Sequence, residues 1–375
     1  MNVVVCGWVG GFPVAGFFWH PVSYALGFRD LGHEVWFLDD GGWGPDVFDP
    51  QSGRTDPEGH AAVRFLEAEM AAVGLGGRWA YRHVGSDRFS GMDEGTVGEV
   101  LAAADVLVNV SLMLPARPEY LRIPHRLAID TDPVFTQVSV ARGSPVPEMH
   151  TRLFTFGRPP LPGQRHEWLP TRQAVATRYW PVAPPPAPGS PFTTVTSWQA
   201  YEPLHWEGRE YGLKDRSIRE HVDLPGRTSV PLSLGLAGGI DRGEGARFLK
   251  SRGWRVEDAL APTRSSESYR RHIAASAGEI GFAKHAYVAA RSGWFSDRTC
   301  CYLASGRPAV VQDTGWTDWL PSGEGVLGFS TTAEAASALD EVAADLDRHC
   351  AAARKVAEEH FEATVVCREL LEASL

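Results

Sequence analysis

The chain has 375 residues, 43% of them apolar and 22% charged, with a formal net charge of -10. That length supports two domains with cores of their own, and the negative balance argues against a general nucleic-acid binder or a membrane-surface protein. The cysteines Cys6, Cys300, Cys301, Cys350 and Cys367 show no zinc spacing and read as reduced thiols of a cytoplasmic protein, and no apolar run approaches the roughly 18 residues of a membrane span.

The opening MNVVVCG reads as a buried strand rather than a secretory leader. GWVGGFPVAG is a glycine-rich loop, His20 to Leu31 is helical with Gly32 as its stop, and HEVWFLDD is a second strand. This β-loop-α-β order opens a doubly wound parallel sheet. AADVLVNVS and HRLAIDTDP read as further parallel strands, each ending in polar residues where such sheets place ligands. PVAPPPAPGSP, residues 181–191, is too rich in proline for helix or sheet and marks a domain boundary. Beyond it TTVTSW, SVPLSLGLAGG, WRVEDAL, EIGFAKHAYV and PAVVQD are strands separated by helical stretches. Residues from Thr332 onward are helical. The expectation is an α/β protein with two Rossmann-like domains, 1–185 and 192–355, a cleft between them, and a C-terminal helix over 356–375.

The first loop invites a dinucleotide reading, with Gly7, Gly10 and Gly11 before a helix and Asp39 and Asp40 ending the next strand. The spacing fails, because Val9 stands where the dinucleotide pattern needs glycine. The loop suits an acceptor cleft better, lined by Gly11, Phe12, Phe17 and Trp19. His20, read at the junction of loop and helix, titrates near neutrality and is a candidate base for an attacking hydroxyl. Asp130 and Asp132 are candidates to orient it. The alternatives are a core or capping histidine and an ordinary turn pair of aspartates.

In the second half, RSGWFSDR offers what a diphosphate needs: cations, a glycine for close approach and hydroxyls at a helix start. These are Arg291, Ser292, Gly293, Ser296, Asp297 and Arg298. Lys284, Lys214 and Ser197 are further donor-side candidates. An ordinary capped helix with surface arginines fits the same letters.

RSGWFS resembles the His-Cys-Gly-Trp-Asn-Ser start of the donor motif in plant-type small-molecule glycosyltransferases. YLASGRPAVVQDTG is similar to the Ala-x-Gly-x-Pro-Val-Val run of glycogen-synthase-like families, where the loop after the strand approaches the donor sugar. DRTCCYLASG resembles a segment of spore-maturation-type glycosyltransferases, and Leu-Gly-His-Glu-Val at residues 31–35 is common in their first βαβ unit. The resemblance is to GT-B-fold glycosyltransferases. It implies that Arg291 and Ser296 contact the diphosphate, Arg298 a phosphate or ribose, and Asp313, Thr314 and Gly315 the donor sugar.

That resemblance also implies transfer from a nucleoside-diphosphate sugar to a small-molecule hydroxyl or amine, with no metal and no resident cofactor. Gly293 and Cys301 stand where retaining relatives carry a Glu-x7-Glu pair, so an inverting reaction with His20 as base is favoured. Nucleic acid is not an expected partner, and a homodimer is left open. The rivals are a non-catalytic nucleotide-sugar-binding or partner protein, a nucleotide-sugar epimerase and, more distantly, a dehydrogenase.

Overall fold

The computed structural model describes residues 1–40, 47–83, 85–86, 88–238 and 242–375. Gly239, the last residue of the expected SVPLSLGLAGG strand, lies outside them. The first half contributes β1 Asn2–Cys6, β2 Glu34–Asp40, β3 Val47–Asp49, β4 Arg54–Asp56, β5 Trp79–Arg82, β6 Phe89–Gly91, β7 Val106–Val110, β8 His125–Asp130, β9 Arg152–Thr155 and β10 Leu169–Pro170. The second half contributes β11 Phe192–Ser197, β12 Leu204–Trp206, β13 Arg209–Tyr211, β14 Leu232–Ala237, β15 Arg255–Asp258, β16 Gly278–Gly281, β17 Ala309–Gln312 and β18 Val326–Phe329.

Two large sheets result, in the orders β10-β9-β8-β7-β1-β2-β5-β6 and β15-β14-β11-β16-β17-β18, and β3-β4 and β12-β13 are separate hairpins. The six central parallel strands of the first sheet and all six of the second share one winding. The first strand of each set lies inside, flanked by the second and the fourth. Such sheets bind ligands at the carboxyl ends of the two strands where the winding reverses, here β1/β7 and β11/β16. The inner strands are apolar on both faces, as burial under helices on both sides requires. Val3, Val4, Val5 and Cys6 are all buried.

The first helix is Ala15–Asp30. It begins five residues earlier than the sequence suggests, and Pro21 lies inside it. Proline normally breaks a helix by removing one N–H and crowding the preceding turn. Here packing wins. The Pro21 ring lies against Gly7, where a methyl group would come within 2.5 Å of it. At Gly27 a methyl group would sit 2.6 Å from both the Ala363 carbonyl and Cys367 Sγ. The C-terminal helix Ala363–Glu372 therefore packs directly on the first helix.

Arg172 binds Glu369 with two N–H donors, at 2.5 and 2.8 Å, and Val175 pairs with Glu362 as an isolated bridge. One apolar cluster runs from Phe18, Trp19 and Phe28 through Trp180, Tyr269 and Tyr302 to Phe361 and Leu370. Residues of both halves thus share a core along one edge of the cleft. Among the described residues no helix is long and apolar enough to cross a membrane.

Candidate functional site

The glycine loop after β1 is held from within. Asp39 Oδ2 accepts the backbone N–H groups of Val9 at 2.6 Å and Gly10 at 2.7 Å. These are the donors that a dinucleotide site would offer to a pyrophosphate, and the protein's own carboxylate occupies them. Burial pushes the Asp39 carboxyl up to about 7, against the opposing pull of those two N–H groups. Asp40 accepts Arg117 Nε and the Tyr120 hydroxyl, both at 2.6 Å. Both acids that a ribose would need are committed to protein donors.

His20 lies in the second turn of the first helix, not at its start. It is half-buried, its ring stacks on Phe156 at 5.9 Å, and its Nε2 is buried with no hydrogen-bond partner among the described residues. Burial lowers its pKa and the Asp297 carboxylate partly offsets that, so the neutral imidazole is favoured near pH 7.

The two aspartates expected to orient His20 do other work. Asp130 is fully buried and accepts Thr155 Oγ1 at 2.7 Å, Gln137 Nε2 at 3.4 Å and the Asp132 backbone N–H at 3.0 Å. Its carboxyl is pushed up to about 7 by that burial. Asp132 crosses the cleft. It accepts Lys284 Nζ and the Tyr287 hydroxyl, each at 2.5 Å, and the Tyr201 hydroxyl at 2.9 Å. Lys284 also lies 4.8 Å from the Phe135 ring and 4.9 Å from that of Tyr201. Lys284 thus serves a latch between the halves instead of waiting for a phosphate. The indole N–H of Trp294 donates to the Thr131 carbonyl at 3.0 Å beside it.

The donor-side segment divides. The Arg291 side chain is exposed and pairs with Asp318 at 3.1 Å. Ser292 is buried, and its carbonyl accepts the Arg158 N–H at 2.6 Å. Gly293 has φ +69, and a methyl group there would lie 2.4 Å from the Arg158 carbonyl. Its freedom serves contact with the first half, not the approach of a phosphate. Asp313 caps its own turn through the N–H of Gly315 at 2.9 Å, and Thr314 Oγ1 donates to the Trp294 carbonyl at 2.5 Å. The loop of Asp313, Thr314 and Gly315 is therefore satisfied internally.

Arg298 is buried. Its Nε meets Glu279 Oε1 at 2.5 Å and its guanidinium also donates to the Val195 carbonyl at 2.8 Å. Glu279 stands inside β16, fully buried. A buried pair of this kind cancels most of the charge that a diphosphate would use.

Lys214 differs from the other candidate cations. It opens the helix Lys214–Glu220, beyond the end of β11, and has no hydrogen-bond or ion-pair partner among the described residues. Burial lowers its pKa to about 7, with Arg298 and Lys284 adding repulsion and Asp297 and Glu279 opposing the shift. Ser296 is the N-cap of the helix Asp297–Ala304, and its side chain makes no cap bond. Ser197 closes β11 on the same edge of the sheet. Ser296, Arg298, Trp294, Phe282 and Gln312 line one pocket there. The structure thus brings together Lys214, Ser296, Asp297 and Arg298 from the second half and faces them with His20 from the first. Lys284 lies close enough to repel Lys214 but is held by Asp132, and Arg291 pairs with Asp318.

On the acceptor side Trp19 is buried against Tyr179 and Trp180, with Arg270 over its ring, and lines no cleft. Phe12 and Phe17 lie on the rim, Phe17 being 43% exposed. Gly11 sits under Trp8, whose ring a methyl group would meet at 2.3 Å. Ser111 and Leu112, just past β7, hold left-handed φ values of 65 and 59. Non-glycine residues in that region are uncommon, and such outliers cluster at functional edges.

No family model and no curated protein matches the chain. Solved structures do. The chain is similar to an α-glucosyltransferase in complex with UDP-glucose and DNA containing an abasic site, at 9% identity and TM-score 0.62, over 99% of this chain and 98% of that one. It is similar to Anabaena HepE in complex with UDP and glucose, at 11% identity and TM-score 0.58, over 100% and 99%. It is also similar to AviGT4, a glycosyltransferase involved in avilamycin A biosynthesis, at 13% identity and TM-score 0.51, over 99% and 96%. At such identities the likeness speaks for architecture, and it spans both sheets and the returning C-terminal helix: the chain has the GT-B fold.

Proposed function

We propose that this protein is a glycosyltransferase that moves a sugar from a nucleoside-diphosphate sugar to a small-molecule acceptor. The observation that carries the reading is Lys214, a half-buried lysine with no ion-pair partner among the described residues, at the point where the winding of the second sheet reverses. A cation left uncompensated in such a place is matched by an anionic ligand. The neighbours' UDP and UDP-glucose support a uridine diphosphate donor.

In this reading the acceptor O–H oxygen attacks the anomeric carbon, and the bond from that carbon to the diphosphate oxygen breaks. The proton passes to His20, whose neutral ring has a free nitrogen. Asp297 stabilises the imidazolium that forms. Lys214 and the N-terminus of the helix Asp297–Ala304 take up the charge of the departing diphosphate. The reaction inverts the anomeric centre, and Asp130 and Asp132 take no part in it.

The α-glucosyltransferase neighbour was solved in several complexes with DNA. The net charge of -10 here favours a small acceptor over a polyanion. The test is release of UDP from UDP-glucose, measured with a panel of hydroxylated small molecules and separately with duplex DNA. Acceptor-dependent release that falls at least about 100-fold in His20→Ala supports the reading. Binding of UDP with no release under any condition would favour a non-catalytic binding protein, and release with DNA alone would replace the acceptor class.

A further inference from the structure

Lysine is rare in this chain. Of its 36 basic residues only Lys214, Lys250, Lys284 and Lys355 are lysine, and the rest are arginine. Two of those four stand together. The Leu213 carbonyl accepts the His285 N–H at 3.2 Å and the Gly212 carbonyl accepts the Ala286 N–H at 3.0 Å, so the backbones that carry Lys214 and Lys284 run side by side. Where arginine is the habit, a lysine supplies what arginine lacks: a compact charge on a flexible stem that can change partners.

The cations at this edge are held differently. Lys214 has no ion-pair partner among the described residues. Lys284 donates to Asp132 Oδ2 of the first half and to the Tyr201 hydroxyl, each at 2.5 Å, among the rings of Phe135, Tyr201 and Tyr287. Arg298 is tied to Glu279, whose side chain is 0% exposed. Taking Arg298 away would strand a buried charge. The Asp132 side chain is 31% exposed, and it keeps the hydroxyl donors of Tyr201 and Tyr287 when Lys284 leaves. Lys284 is therefore the paired cation that can be released at small cost. A nucleoside diphosphate at Lys214 brings more negative charge than one lysine neutralises.

We infer that a diphosphate arriving at Lys214 takes Lys284 from Asp132, so that one lysine serves first as the bolt between the halves and then as the second cation of the donor site. This rests on the glycosyl-transfer reading and adds an order to it. The donor binds first, and its arrival unbolts the cleft that the acceptor enters.

The scarcity of lysine makes the exchange visible. In protein labelled isotopically at the lysine ε-carbon, a carbon–proton correlation spectrum reads each of the four lysines separately. Among three rings, the Lys284 protons should lie upfield of the others. The signal missing from Lys284→Arg identifies them, with Lys284→Gln as the second choice should that variant not fold. Saturating UDP is expected to move this signal to the range of the exposed Lys250 and Lys355. Asp132→Asn should move it partway before UDP is added, and should bind UDP at least about threefold more tightly, because the competing partner is gone. Relief of plain repulsion would also tighten binding, but would leave the Lys284 signal among the rings. A Lys284 signal that stays upfield while that of Lys214 responds to UDP would overturn the inference, as would one that is not upfield at the start. No lysine response and no heat of UDP binding would strike the glycosyltransferase reading itself, and the inference with it.

Discussion

The two sheets share one strand order, yet they treat the anion position at their reversal points in opposite ways. In the first, the N–H groups of Val9 and Gly10 are filled by the protein's own Asp39. In the second, Lys214 stands at the matching edge with no ion-pair partner among the described residues, although Asp297 and Glu279 act on it from a distance. Duplicating a fold thus duplicates the place for a ligand but not the ligand. A carboxylate supplied from the next strand closes one copy, and its absence leaves the other open. The difference is local electrostatics laid over a common backbone.

The comparison breaks most readily at its open end. Lys214→Ala should weaken UDP binding by about 100-fold, roughly 2.7 kcal/mol, in calorimetry. Comparable affinity in the variant would mean that the second sheet's edge is not the anion site. Arg298→Ala is a poorer probe, because it strands Glu279 as an uncompensated buried charge and should destabilise the whole fold.

At the closed end, Asp39→Ala removes the acceptor of two buried N–H groups and should cost about 2–4 kcal/mol in urea unfolding. The sign of its pH dependence follows from burial. A carboxyl with an ordinary value of 3.8 unfolded and about 7 folded holds its proton longer in the folded state. Its contribution is complete below about 4 and is lost as the pH rises through 7. Asp130 acts in the same direction. Stability should therefore fall between pH 4 and 7, less so in Asp39→Asn, and an unchanged slope in that variant would refute the assignment.

Asp132→Asn sharpens the relation between the halves. It keeps the shape and removes the charge that holds Lys284, so a loss of about 1–3 kcal/mol is expected, with a larger radius of gyration by X-ray scattering in the unliganded protein. An unchanged radius would show that the shared core alone sets the closure. The smallest effect belongs to Arg291→Ala. The side chain is exposed and its ion pair is worth little, so UDP affinity should stay within about twofold. A large loss would place the diphosphate against Arg291 itself.

The sequence carried the architecture because parallel strands buried on both faces leave apolar runs, such as VVVC and AVVQ, between glycine-rich turns. The proline stretch at 181–191 stands between the last strand of one sheet and the first of the other. It carried less of the site. RSGWFSDR looks like a phosphate clamp when read as a string, but Arg291 is exposed and paired with Asp318 and Gly293 is spent on Arg158. Backbone direction is not written in residue type. Asp132 and Lys284 lie 152 positions apart, and only the closed cleft shows that they neutralise each other. A lone acid after a helix usually faces water, whereas Arg298 draws Glu279 inward. Trp19 offered no signal to separate it from Phe17, since helix phase decides which ring meets solvent.

The most direct test is calorimetric titration of UDP at pH 8.5 in two buffers of different ionisation enthalpy, for wild type and Lys214→Ala. With its pKa near 7 in the free protein, Lys214 is mostly neutral at that pH, and a diphosphate would draw a proton onto it. The account predicts uptake of close to one proton on binding to the wild type. It predicts that the variant loses that uptake along with most of its affinity. Binding without proton uptake, or with equal affinity in the variant, would contradict it.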